Sequence, residues 1–184
     1  MTAATVLEHV QVAFRLAKRD PAAIDDIANT QAAFWYSFQG AVITLPMMLI
    51  TIVLEGGGVP GLLGLLGEVG LFAVGWLLYP VVMLEIVPLI DRAQHYCRYM
   101  AASNWCNVLE DGVLTLIVVL RALNIIPESL GGLAFFACVI WVFSYQFFVI
   151  RNGLKVDAGI AAMLIGVRLL LAVGLFMIHS AFGG

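Results

Sequence analysis

Apolar residues fall in long runs broken by short polar or glycine-rich stretches, and five runs are long enough to predict membrane helices: 34–54, 69–90, 100–119, 130–150 and 158–178. Crossing a hydrocarbon core about 30 Å thick takes about 20 mainly apolar residues. The third run is diluted in its first half by Asn104, Asn107, Glu110 and Asp111. It is kept because it makes the charge distribution coherent. With the N-terminus inside, five spans leave Arg15, Lys18, Arg19, Arg92, Arg98, Arg151 and Lys155 on the cytoplasmic side and only Arg121 outside, the asymmetry that orients membrane proteins. Dropping the third span would put Arg151 and Lys155 outside. The expectation is an all-α membrane protein, a five-transmembrane-helix bundle over 34–184 with its C-terminus extracytoplasmic.

Residues 1–33 follow another pattern. Val6, Leu7, Val10, Ala13, Phe14 and Ala17 cluster on one face of a helix, with Glu8, Gln11, Arg15, Lys18 and Arg19 opposite. This predicts an N-terminal amphipathic helix, cytoplasmic or interfacial, that rests on the inner leaflet or packs on the protein's own cytoplasmic loops. Asp20-Pro21 marks its end, since Asp can cap and Pro can open a following short helix. No cleavable leader is recognisable, so the chain is expected to begin near Met1. The stretch EGGGVPGLLGLLGE at 55–68 holds no Lys or Arg, as an external loop or shallow re-entrant turn would.

Composition confirms the class. The chain is 62% hydrophobic and 11% charged, against about 45–50% and 25% in soluble domains. Its formal charge of −3, with basic residues scattered among loops, gives no stripe for a nucleic acid. Three cysteines, Cys97, Cys106 and Cys138, form no CxxC; a disulfide framework is not expected.

Candidate chemistry concentrates on Arg168, a charge at the centre of the fifth run. A central Arg costs about 2.5–3.5 kcal/mol on insertion scales, so the protein must compensate it. Counted inward from the cytoplasmic side, Glu110 and Asp111 share its depth. Asn104, Asn107, Asp111 and Thr115 follow 3-4-4 spacing and make one polar stripe, with Glu110 about 100° away. Asp111 is therefore the expected partner of Arg168 and Glu110 the second choice. Glu85 on the second span matches the depth of Asn104 and Asn107, and Pro80 should kink that helix nearby. Ser37, Thr44 and Thr51 repeat every seven residues, which suits close helix contact. The Arg168 pair reads either as functional or as a device that holds the bundle in register. His95 near Cys97 supplies too few ligands for a metal. No HExxH, GxSxG or P-loop pattern occurs, and Asp111 is the one aspartate well inside a predicted span.

At FWYSF (34–38), WLLYP (76–80) and NW (104–105) the chain resembles an uncharacterised group of alphaproteobacterial inner-membrane proteins, broadly similar to the Yip1 family. That resemblance implies five membrane helices, a cytoplasmic N-terminus, a bacterial inner-membrane location and a role in membrane organisation or protein binding. The glycine-and-tyrosine signature of the eukaryotic members is absent, so a trafficking role does not carry over. The expected function is a non-enzymatic scaffold or accessory protein, without cofactor or catalytic residue, in contact with lipid and with another membrane protein or a second copy. Its polar cluster would comprise Arg168, Asp111, Glu110, Glu85, Asn104 and Asn107. The alternative is an oligomeric channel or transporter for an ion or small solute that uses the same cluster.

Overall fold

The least apolar of the long helices is the one the others surround. The computed structural model describes residues 3–56 and 58–182, whose regular structure is entirely helical: α1 (Ala3–Ala17), α2 (Gln31–Ser37), α3 (Gln39–Glu55), α4 (Leu62–Leu89), α5 (Tyr96–Ala122), α6 (Glu128–Leu154) and α7 (Ala158–Phe182), with 3-10 turns at Pro21–Asp26 and Ala93–His95. Helix α5 packs against α1, α2, α3 and α6 and touches α4. Its small and polar residues, Ala101, Ala102, Ser103, Asn104 and Cys106, are buried together with Trp105.

Four helices are long and apolar enough to cross a membrane: Gln31–Glu55, taken through the break at Phe38, Leu62–Leu89, Glu128–Leu154 and Ala158–Ala181. At most 28% of the apolar window in any of them is buried within the protein. Exposed side chains such as Val42, Leu77, Leu170 and Phe176 therefore face the bilayer, since so large an apolar surface is untenable in water. The chain is a multi-pass membrane protein. The expected third span, α5, is not among the four, because its charges and amides lower its hydropathy. The expected start of the second span at 69 is also corrected: α4 begins at Leu62, so the second half of the anticipated loop is helix. It runs through Pro80 and Pro88, and the Tyr96 hydroxyl donates to the Pro80 carbonyl at 2.9 Å.

Side-chain pairs fix the directions. Gly153 faces Tyr99 and Gly131 faces Arg121, so α5 and α6 are antiparallel along nearly their whole lengths. Gly40 lies against Asn104 and Val108, and Met47 against Gly112, so α3 runs parallel to α5. Gly75 lies near Leu175 and Glu68 near His179, so α7 is antiparallel to α4. One end of the bundle thus gathers α1, the starts of α3, α5 and α7, and the ends of α4 and α6.

That α1 end is the packed end. Ala13 and Leu16 of α1 are fully buried in a core with Tyr99, Met100, Trp105, Tyr145 and Ile150, and the Tyr145 hydroxyl donates to the Ala13 carbonyl at 2.6 Å. His9 stacks on Trp105 at 5.1 Å. Helix α1 therefore uses a Val6–His9–Val10–Ala13–Leu16 flank for protein contact, while Leu7 and Phe14 of its expected apolar face stay exposed. Asp20 caps the turn after it, accepting from the Ala22 amide at 3.0 Å, with Pro21 as the first residue. Arg15 binds both Asp20 and Asp26, and its guanidinium holds the Asp20 carboxyl below its ordinary pKa. Arg98 pairs with Asp25 at 2.6 Å, and Asn29 accepts from the Arg98 amide, one of the donors a helix start leaves free.

Candidate functional site: a polar cleft beside Arg168

Arg168 comes from α7 into a ring of acceptors on α5 and α6. Its Nη1 donates to Ser103 Oγ at 3.2 Å and to Gln146 Oε1 at 3.3 Å, and its Nη2 donates to Asn107 Oδ1 at 2.6 Å. Glu110 Oε2 lies 3.9 Å from Nη2, with side-chain exposures of 21% for the arginine and 6% for the glutamate. Gln146 Nε2 donates to the other Glu110 oxygen at 2.5 Å. The guanidinium also lies 4.9 Å from the centre of the Tyr79 ring, whose hydroxyl meets that of Tyr99 at 2.6 Å. One cation and one carboxylate thus share a web of hydrogen bonds, the condition under which a buried pair is tolerated.

This geometry corrects the expected pairing. Glu110 is the partner of Arg168, and Asp111 forms no ion pair among the described residues. Two stripes coexist on α5. Ser103, Asn107 and Glu110 are spaced by four and three and turn towards α6 and α7. Asn104 and Asp111, seven apart, turn towards α2 and α3, where Asn104 Nδ2 donates to Ser37 Oγ at 2.9 Å and Asp111 sits beside Thr44. A single polar stripe read from spacing had merged them. Glu85 is also corrected. It is exposed, because the inward face of α4 carries Met83 and Val87, and a residue two positions on from Met83 points about 200° away.

Sequence reasoning missed Ser103, Gln146, Tyr79 and Tyr99 as members of this network. Gln146 alone left a signal, as the single amide in the apolar run 133–150. Ser37 and Thr44 meet the expectation of close contact, since both are fully buried.

A cleft of about 500 Å³ opens between α3, α4, α5 and α7. Tyr79, Asn104, Asn107, Glu110, Asp111 and Arg168 line its inner end, and Thr51, Glu68 and Leu175 lie nearer the end away from α1. Thr44 and Thr115 add hydroxyls to its lining. On the α1 side, Tyr79, Met83, Tyr99 and Met100 are packed and buried. The cleft is therefore a vestibule closed on the α1 side, with Glu110 and Asp111 in its inner wall. Towards the end away from α1, Glu68 Oε1 lies 3.5 Å from His179 Nδ1.

No protein-family model, curated protein or solved structure matches the chain.

Proposed function

We propose that this is a non-enzymatic cation-handling membrane protein, in which Asp111 binds a proton or a monovalent metal ion that enters through the cleft. The observation that carries this reading is the contrast between two adjacent acids: Glu110 balances Arg168, whereas Asp111 lines the cleft with no ion pair among the described residues. Carboxylate, hydroxyl and amide oxygens are the donors that hard cations prefer. An ionisable side chain inside a membrane, facing a cavity, ordinarily marks an ion path. In this reading α5 is a fifth crossing helix, because it accompanies the full length of α6. The α1 end, with seven of the nine basic residues, is cytoplasmic, so the vestibule opens to the outside.

The test is flux in proteoliposomes, which requires a second state in which the packed Tyr79 and Tyr99 part. Wild-type protein should move H+, Na+ or K+ down an imposed gradient, and Asp111→Asn should lower the rate about tenfold or more while its melting temperature stays unchanged. Wild-type vesicles no leakier than empty ones to all three cations would sink the proposal.

A scaffold or accessory role draws support from one observation. Glu85 is exposed on the outward face of α4 between exposed Val81, Leu84 and Leu89. A carboxylate there suits contact with a second copy or another membrane protein better than contact with lipid tails.

A further inference from the structure

Two arginines that the cleft does not use share a hollow at the α1 end. The hollow, about 440 Å³, is walled by Arg19, Pro21, the last turns of α6 and Val156. Arg19 follows α1 in a left-handed conformation (φ 66°), which turns the chain towards α6. Its guanidinium donates to the Ser144 carbonyl and hydroxyl, both at 2.6 Å, and lies 5.4 Å from the centre of the Phe148 ring. Arg151, three residues on, lies 5.9 Å from the Phe147 ring centre. Neither arginine has an acidic partner among the described residues, and no Asp or Glu lines the hollow. Arg15 and Arg98, by contrast, are paired with aspartates and Arg121 with Glu55.

The position of the hollow says which anion suits it. It sits beside the end of a helix long and apolar enough to span a bilayer, where headgroups lie. Ile140 and Phe136, both exposed, stand one and two turns before Ser144 on the same face, giving an apolar track of about 12 Å that ends at the two guanidinium groups. Cationic end, hydroxyl and amide donors from Ser144 and Asn152, and apolar track together match an amphiphile with a phosphate head.

We infer that the Arg19–Arg151 hollow binds the phosphate of an anionic phospholipid, with an acyl chain laid along the Ile140–Phe136 face of α6. Guanidinium groups are the side chains best shaped for phosphate oxygens, and basic hollows among membrane helices on the cytoplasmic side hold anionic headgroups.

The test uses the full chain reconstituted in vesicles of equimolar phosphatidylglycerol and phosphatidylcholine with identical acyl chains. The protein is extracted in neutral detergent, and the lipid it retains is counted by native mass spectrometry. Wild-type protein should retain phosphatidylglycerol over phosphatidylcholine by roughly tenfold, Arg151→Gln should cut that preference about fivefold, and R19Q/R151Q should bring it to parity. Arg151→Gln breaks no side-chain hydrogen bond among the described residues, so it stays informative if the double variant fails to fold. Lys18→Gln removes a neighbouring exposed charge outside the hollow and should leave the preference intact. The inference is overturned by parity in the wild type, by a loss in Lys18→Gln equal to that in Arg151→Gln, or by displacement of the lipid with excess inorganic phosphate, which would make the site one for soluble phosphate.

Discussion

At the scale of single residues, Arg168 and Asp111, which a sequence reading joins as one pair, sit in different surroundings. The guanidinium is spoken for by Ser103, Gln146, Asn107 and Glu110, so its first consequence is to bind α7 to α5 and α6. Removing it leaves Glu110, which is 6% exposed, without a counter-charge. Loss of one member of a buried pair costs about 3–5 kcal/mol; with Arg168 itself 21% exposed and membrane hydrogen bonds weaker on average, roughly 2–4 kcal/mol is expected for Arg168→Leu. The double variant Arg168→Leu/Glu110→Gln should recover part of that loss, because no lone carboxylate remains buried. Thermal unfolding in detergent reads both, and a double variant less stable than Arg168→Leu alone would contradict the assignment of Glu110 as counter-charge. That Arg168 meets Asn107 and an acid of the 110–111 pair was legible in the sequence, whereas Ser103, Gln146 and the two tyrosines were not. The choice of acid was not legible either, because Glu110 and Asp111 differ by one position, and which of them meets Arg168 depends on the side from which α7 approaches.

At the scale of elements, helices were legible and their neighbours were not. The apolar runs place α3, α6 and α7 to within a few residues, since a run of about 20 apolar residues has few other solutions in a bilayer. Helix α5 is harder: Ala101, Ala102, Ser103 and Asn104 dilute its hydropathy, yet small and polar residues are what let other helices close on it. Gly40 shows how close they come. A Cβ there would lie 3.0 Å from the Trp76 ring, 3.1 Å from the Asn104 carbonyl and 3.1 Å from Val108. The carbonyl belongs to the backbone of α5 and cannot swing aside. Gly40→Ala should therefore destabilise by about 1–3 kcal/mol through overpacking, despite the better helix propensity of alanine. Gly112→Ala is the matched control on the neighbouring helix, where the nearest atom to a new Cβ is Met47 Cε at 4.0 Å; there the propensity gain of up to about 1 kcal/mol should show instead. Equal melting temperatures for the two variants would mean that α3 and α5 are not so tightly apposed.

For the whole molecule, the question is how many times the chain crosses. Four helices qualify by apolarity, and α5, with Arg98, Glu110, Asp111 and Arg121, does not. Hydropathy judges a helix as though lipid surrounded it, whereas Ser103, Asn104 and Glu110 are covered by protein and never meet acyl chains. Geometry supports a crossing: Tyr99 lies against Gly153 and Arg121 against Gly131, near the two ends of α6, a helix that qualifies. If α6 crosses, its antiparallel companion has its own ends at the same two surfaces. Single cysteines in a background lacking Cys97, Cys106 and Cys138 decide the matter. With five crossings, an impermeant maleimide added to intact cells should label Asn124→Cys, in the turn between α5 and α6, and leave Asp91→Cys and Asp157→Cys unlabelled until the membrane is opened. With four crossings and α5 outside the bilayer, the turns at 91 and 124 would lie on one side and label alike. The same experiment orients the cleft. Packed tyrosines close it on the α1 side, so on the cation-handling proposal labelling at 124 from outside predicts that an ion reaches Asp111 from the outer half of the bundle.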